Sequence, residues 1–179
     1  MMIRYLTSFL LCTFLLISSL GHGSQPNRIS ENQIGGFDFN GQLITNQKLI
    51  SLYGEGCVDK DYPYHYRRMY YFPEEDIYIA FKIETDDFVV GLQLTKEPIT
   101  SKNCNAKKKL NNFGTGKKIY LGDKKEKVIK TYGKPFREEI KGKQITLFEY
   151  YGLGEADRPY MEIKLLSDHV VSVGITVGD

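Results

Sequence analysis

Lys48-Leu49-Ile50-Ser51-Leu52-Tyr53-Gly54 reads like Lys127-Val128-Ile129-Lys130-Thr131-Tyr132-Gly133, 79 positions further along the chain. Each is a short amphipathic run closed by glycine. Leu49, Ile50, Leu52 and Tyr53 in the first, and Val128, Ile129 and Tyr132 in the second, recur at the spacing of one helical face. Gly54 and Gly133 stop the two helices, and Pro135 keeps the second from resuming. Thr45 stands where an N-cap is expected, and Asp123 with Glu126 fits an N-cap followed by a capping-box acid. Helices this short need a sheet to pack on.

Two further matches follow in the same order. Tyr78 to Ile83 resembles Tyr160 to Leu165 at an offset of 82, and Val89 to Thr95 resembles Val170 to Thr176 at 81. A near-constant offset predicts an internal duplication, the alternative being a coincidence of short apolar strings. Period-2 alternation predicts strands at Tyr66 to Phe72, Ile77 to Glu84, Phe88 to Thr95, Ile145 to Tyr150, Tyr160 to Leu166 and Val170 to Val177. Pro73 to Asp76, Thr85 to Asp87 and Ser167-Asp168 supply the turns, and connections this short imply antiparallel neighbours. The predicted class is α+β: two tandem repeats, each with one or two short helices packed on a three- or four-stranded antiparallel meander. The first repeat is expected over 41–97, a basic linker with a short helix at Ala106 to Phe113 over 98–116, and the second repeat over 117–179.

The 179 residues are 41% hydrophobic and 26% charged, which excludes collagen, coiled coil and wholesale disorder. Residues 1–23 read as a secretory signal peptide: Arg4 precedes an apolar run from Leu6 to Leu20, with cleavage expected after Gly21 or Gly23. That run is too short for a stable membrane span, although an uncleaved anchor is the alternative. Cys12 lies inside the apolar run, so no lipid-attachment site is expected. A loose segment is expected over 24–40. The protein is therefore expected to be exported, periplasmic or secreted.

Removal of the signal leaves Cys57 and Cys104, an even count that suggests one disulfide in an exported chain, against two unpaired thiols. His65 and His169 have no Cys or His at ligand spacing, so neither a metal nor another cofactor is expected. Lys102 to Lys143 carries a net charge of +10, whereas 24–101 carries −5 and 144–179 carries −4. This basic centre could contact an anionic surface, or simply be solvated lysine beside acidic strands. The aromatic-basic alternation of a single-strand nucleic-acid binder is absent. The chain also lacks Gly-x-Ser-x-Gly and His-Glu-x-x-His, and Gly114-Thr115-Gly116-Lys117-Lys118 lacks the spacing of a phosphate loop. No catalytic residue is assigned.

Leu121-Gly122-Asp123, Val128 and Tyr132-Gly133-Lys134-Pro135 resemble the helix signature of outer-membrane assembly lipoproteins of the SmpA/OmlA (BamE-like) type. Phe148-Glu149-Tyr150 and Asp168-His169-Val170-Val171 stand at the places of that family's first strand and final hairpin. The resemblance also extends to the fold of the β-lactamase inhibitor protein, in which such a unit is duplicated. It implies a binding module.

Tyr62, Tyr64, Tyr66, Tyr70, Tyr71, Phe72 and Tyr78 are interleaved with His65, Arg67 and Arg68. Tyr and Arg are favoured at interface hot spots, although Tyr is also simply a good strand former. The expected function is non-enzymatic: recognition of another envelope or secreted protein, in cell-envelope assembly, through an aromatic-rich open sheet face. The binding residues expected are Tyr64, Tyr66, Arg68, Tyr70, Phe148 and Tyr150. The alternative is a secreted hydrolase inhibitor, or a small exported enzyme with its site between the repeats.

Overall fold

The computed structural model describes residues 31, 33–39, 44–60, 65–100, 103–110, 112–142, 144–151 and 161–176. The expected signal peptide lies outside the described residues, as does Tyr64.

The chain begins with a small hairpin, β1 (Gln33–Ile34) and β2 (Phe37–Asp38), followed by helix α1 (Asn46–Tyr53). Four strands come next: β3 (Cys57–Asp59), β4 (His65–Phe72), β5 (Ile77–Glu84) and β6 (Val89–Thr95). Helix α2 (Lys125–Tyr132) then precedes β7 (Arg137–Lys141), β8 (Ile145–Tyr150), β9 (Met161–Leu166) and β10 (His169–Thr176). β3 to β10 form one eight-stranded antiparallel sheet in the order β3-β4-β5-β6-β10-β9-β8-β7.

This corrects the expected α+β arrangement of two tandem repeats, each with its own meander. The protein is mostly β, with two eight-residue helices among the described residues, and one sheet serves the whole chain. The joint is β6 against β10, with Gly91 to Thr95 paired to Thr176 to Ser172. The reason is the edge. A separate meander would leave the N–H and C=O groups of β6 and β10 unpaired, and each strand satisfies the other's. The core is continuous across that joint, for Phe72, Ile79 and Leu94 share a buried cluster with Phe148, Ile163 and Val173.

One face of the sheet is covered. Tyr53 of α1 packs its ring 5.5 Å from those of Tyr70 and Phe72, Phe37 of the hairpin lies 5.0 Å from Phe81, and Tyr132 of α2 lies 5.6 Å from Tyr150. The Thr45 side chain accepts from the Lys48 N–H at 3.3 Å, so it caps α1 as its position suggested. Gly54 and Gly133 end the helices at φ of 88° and 79°, in the region that favours glycine.

Several local expectations differ from the structure. Lys124, not Asp123, is the N-cap of α2 and makes no side-chain cap bond. The Asp123 carboxylate instead accepts from the Tyr120 N–H at 2.7 Å, one turn earlier. Ile129 is exposed, so only Val128 and Tyr132 bury the face of α2. The helix expected over Ala106 to Phe113 is absent among its described residues. The segment expected to be loose contains the β1–β2 hairpin, with Ile34 and Phe37 in the core. Its Glu31 is buried too, accepting from the Tyr132 hydroxyl at 2.7 Å and the Lys117 N–H at 3.0 Å.

Candidate functional site

Alternation along the strands places every second side chain on the face that the helices do not cover. Register turns those positions into rows. Asp59, Arg67, Lys82, Gly91 and Thr176 lie side by side across β3, β4, β5, β6 and β10. The next row runs Met69, Ala80, Gln93, Gly174, Glu162 and Glu149. A third runs Tyr71, Tyr78, Thr95, Ser172, Lys164 and Leu147.

The middle of this face is a trough of about 320 Å³ floored by Ala80, Gly91 and Gly174. A Cβ on Gly91 would come within 3.0 Å of the Ile175 carbonyl oxygen, so small size there is needed by the β6–β10 joint itself. Gly174 is different: a Cβ would meet nothing closer than 3.7 Å. Its missing side chain leaves open space in the trough. The Gln93 amide donates to the Ser172 hydroxyl at 2.9 Å across the joint.

Charge is arranged around that floor. Arg67 pairs with Asp59 at 2.6 Å on one side, and Lys164 pairs with Glu97 at 2.6 Å on the other. Lys82 makes no ion pair among the described residues. Lys82 and Arg67 help to hold the His65 imidazole below its ordinary pKa, after partial removal from water, which acts first. Glu162 sits directly opposite Glu149, which is buried and pairs with Arg137 at 3.7 Å. The Glu162 carboxyl is raised above the ordinary carboxylate range by partial removal from water and then by the Glu149 charge, with Lys141 opposing. Arg67, Lys82 and Lys164 outnumber Glu162 among the charged side chains that line the trough.

The chain leaving β6 closes one end. Ile99 packs beside Met69, Ala80 and the two cysteines, all on the uncovered face. Cys57 and Cys104 are joined in a disulfide, with Cα atoms 5.2 Å apart. The segment then turns round the β4 edge, where the Tyr71 N–H donates to the Cys104 oxygen at 2.8 Å and the Ala106 N–H to the Tyr71 oxygen at 2.9 Å. It continues to the covered side, with the Lys107 N–H on the Tyr53 oxygen at 3.0 Å and Leu110 in the core.

The residues expected to bind lie mostly elsewhere. Tyr70, Phe148 and Tyr150 are fully buried under the helices at 0% exposure and present no surface to a partner. Burial pushes the Tyr70 phenol up to about 12 and raises the Tyr150 phenol as well. Arg68 is buried too: its Nε donates to Asn46 Oδ1 at 2.5 Å and its Nη1 to the Glu55 carbonyl oxygen, which ties both ends of α1 to β4. Tyr66 is half-buried, and its hydroxyl donates to Asp87 at 2.7 Å; partial burial and that bond push it up to about 12. Tyr66 and Arg68 do share a depression with Asn46 and His65 beside the N-terminus of α1, outside the trough.

Three described lysines of the basic centre are held in ion pairs. Lys125 pairs with Glu138 at 2.8 Å, Lys127 with Asp123 at 2.7 Å, and Lys109 with Glu74. Among the described residues no three His, Cys, Asp or Glu side chains are placed to hold a metal, and no helix is long and apolar enough to cross a membrane.

No protein-family model matches the sequence, and no curated protein does either. Three solved structures are similar. One is an extracellular protein containing a SCP domain from Bacillus anthracis str. Ames, 15% identical, with TM-score 0.45 over 88% of this chain and 50% of its own. Another is a DUF4309 family protein from Bacillus subtilis subsp. subtilis str. 168, 15% identical, with TM-score 0.44 over 75% and 78% of the two chains. The third is a cysteine-rich secretory protein from Staphylococcus aureus subsp. aureus Mu50, 12% identical, with TM-score 0.43 over 86% and 48%. The chain spans about half the length of the first and third.

Proposed function

We propose that this protein is an exported, non-enzymatic binding module that recognises an envelope or secreted protein through the uncovered face of its sheet. Export is supported by the leader pattern of residues 1–23 and by the pairing of Cys57 with Cys104, because disulfides persist in oxidising compartments. The observation that carries the binding reading is the trough over Gly174. The joint between the two halves requires a small residue at Gly91, but it does not require one at Gly174. Yet the central rows keep small residues on the uncovered face, with charged side chains raised on both sides. The aromatic face expected from the sequence is replaced here by a polar one, with Tyr71 and Tyr78 at its margin, their rings 4.6 Å apart.

The test is to fill the gap. Gly174→Tyr adds a good strand former where the backbone has room. Tagged wild-type and variant proteins are used for affinity capture from the cell envelope, with a high-salt wash and mass spectrometry. A stoichiometric protein held by the wild type and lost by Gly174→Tyr supports the reading. Equal capture by both, with both folded, overturns it.

A further inference from the structure

We propose that the trough takes an acidic polypeptide segment in extended conformation, laid diagonally across β5, β6, β10 and β9 with its carboxylates on Lys82 and Lys164. This rests on the reading of the uncovered face as the binding surface, and it names the occupant. Charge complementarity is the first argument. Lys82 and Lys164 stand on opposite sides of the Gly91 and Gly174 floor, and Arg67 adds a third cation beside Lys82. Lys82 has no ion pair among the described residues, and the side chain of Glu97, the partner of Lys164, is 43% exposed, so a carboxylate from outside can compete with it for Lys164.

Geometry supplies the second argument. Lys82 and Lys164 are three strands apart and two rows apart. Neighbouring strands lie about 4.8 Å apart and residues rise about 3.3 Å along each, so the diagonal is about 20 Å. About six extended residues span that distance. Between the two lysines the floor offers the Gln93 amide and the Ser172 hydroxyl, a donor and acceptor pair suited to peptide groups. The glycines let a main chain approach closely. A rigid polyanion would hold charge against Glu162 in the same trough, whereas an extended peptide turns alternate carboxylates away from the sheet.

The experiment titrates the full exported protein with a labelled hexaglutamate peptide, following fluorescence anisotropy and the His65 resonances. Hexaglutamine and heparin serve as comparison ligands. Saturable hexaglutamate binding is expected, weakened about tenfold by Lys82→Glu, the loss of roughly one ion pair's discrimination. It should also be abolished by Gly174→Tyr and unchanged by Lys134→Glu, an exposed lysine outside the trough. His65 should titrate higher with peptide bound, since the peptide offsets the Lys82 charge. Equal weakening by Lys134→Glu, equal binding of hexaglutamine, or tighter heparin binding that Lys82→Glu removes would each overturn the acidic-peptide assignment. Failure of hexaglutamate to bind, while Gly174→Tyr still loses the captured partner, overturns the occupant and leaves the surface standing.

Discussion

The hydroxyl of Tyr70, on β4, donates to the carbonyl oxygen of Gly54, the residue that ends α1, at 2.9 Å. Tyr150, on β8, does the same to Gly133 at the end of α2, at 3.2 Å. Each helix end leaves carbonyls without an intrahelical partner, and a buried one must find a donor. A strand tyrosine reaching up through the core provides it, so ring packing and carbonyl satisfaction come from one side chain.

Tyr70→Phe should therefore cost about 1 kcal/mol in urea denaturation, the net worth of a typical buried hydrogen bond. Tyr70→Ala should cost about 3–5 kcal/mol, because the cavity is added to that loss. Equal losses for the two variants would show that the hydroxyl contributes nothing.

Stability should fall in alkali. An unfolded tyrosine releases its proton near 10, whereas Tyr66 and Tyr70 hold theirs up to about 12 in the fold. Between those values the unfolded chain has lost protons that the folded one keeps, so stability is complete below about pH 10 and is lost as pH rises through about 12. Urea midpoints measured from pH 8 to 12 should show that decline, and Tyr70→Phe should make it shallower.

The Tyr132 hydroxyl donates to the buried Glu31 carboxylate at 2.7 Å, and Thr115 Oγ1 lies 2.6 Å from the same hydroxyl. Tyr132→Phe should cost about 2 kcal/mol, the range for a hydrogen bond to a charged group. Hydrogen exchange should report the loss first at Gln33 and Lys117, whose N–H groups share the Glu31 carboxylate. Exchange rising uniformly over the sheet would contradict that placement.

Paired serine replacement of Cys57 and Cys104 should lower stability by about 4 kcal/mol in the chain-entropy account, given a sequence separation of 47. The trough end packed by Ile99 should become more accessible to proteolysis than the covered face. Denaturation curves and limited digestion of the variant check both statements.

The helix stops and most strand bounds were legible because their causes are local. Ile77–Glu84 and Ile145–Tyr150 match their period-2 runs residue for residue. β3 and β7 were not anticipated, since a three-residue edge and the sequence Arg137-Glu138-Glu139-Ile140-Lys141 carry too little alternation to signal a strand. Nor was the pairing of β6 with β10, which joins segments 79 residues apart at Gln93 and Ser172 and leaves no mark on either. The burial of three candidate binding residues has a different cause. Tyr70, Phe148 and Tyr150 stand out by residue type, while the same alternation that marks their strands puts them on the face opposite Lys82 and Lys164.

The strand that joins the two halves of the sheet is also the last of the ten described strands to leave the ribosome. Until residue 176 has emerged, β6 has an empty flank and the central hydrophobic layer lacks Val173 and Ile175. Completion of the sheet thus waits on contacts of long sequence separation, which form slowly. The eight-stranded sheet therefore closes late, after both of its halves have been synthesised.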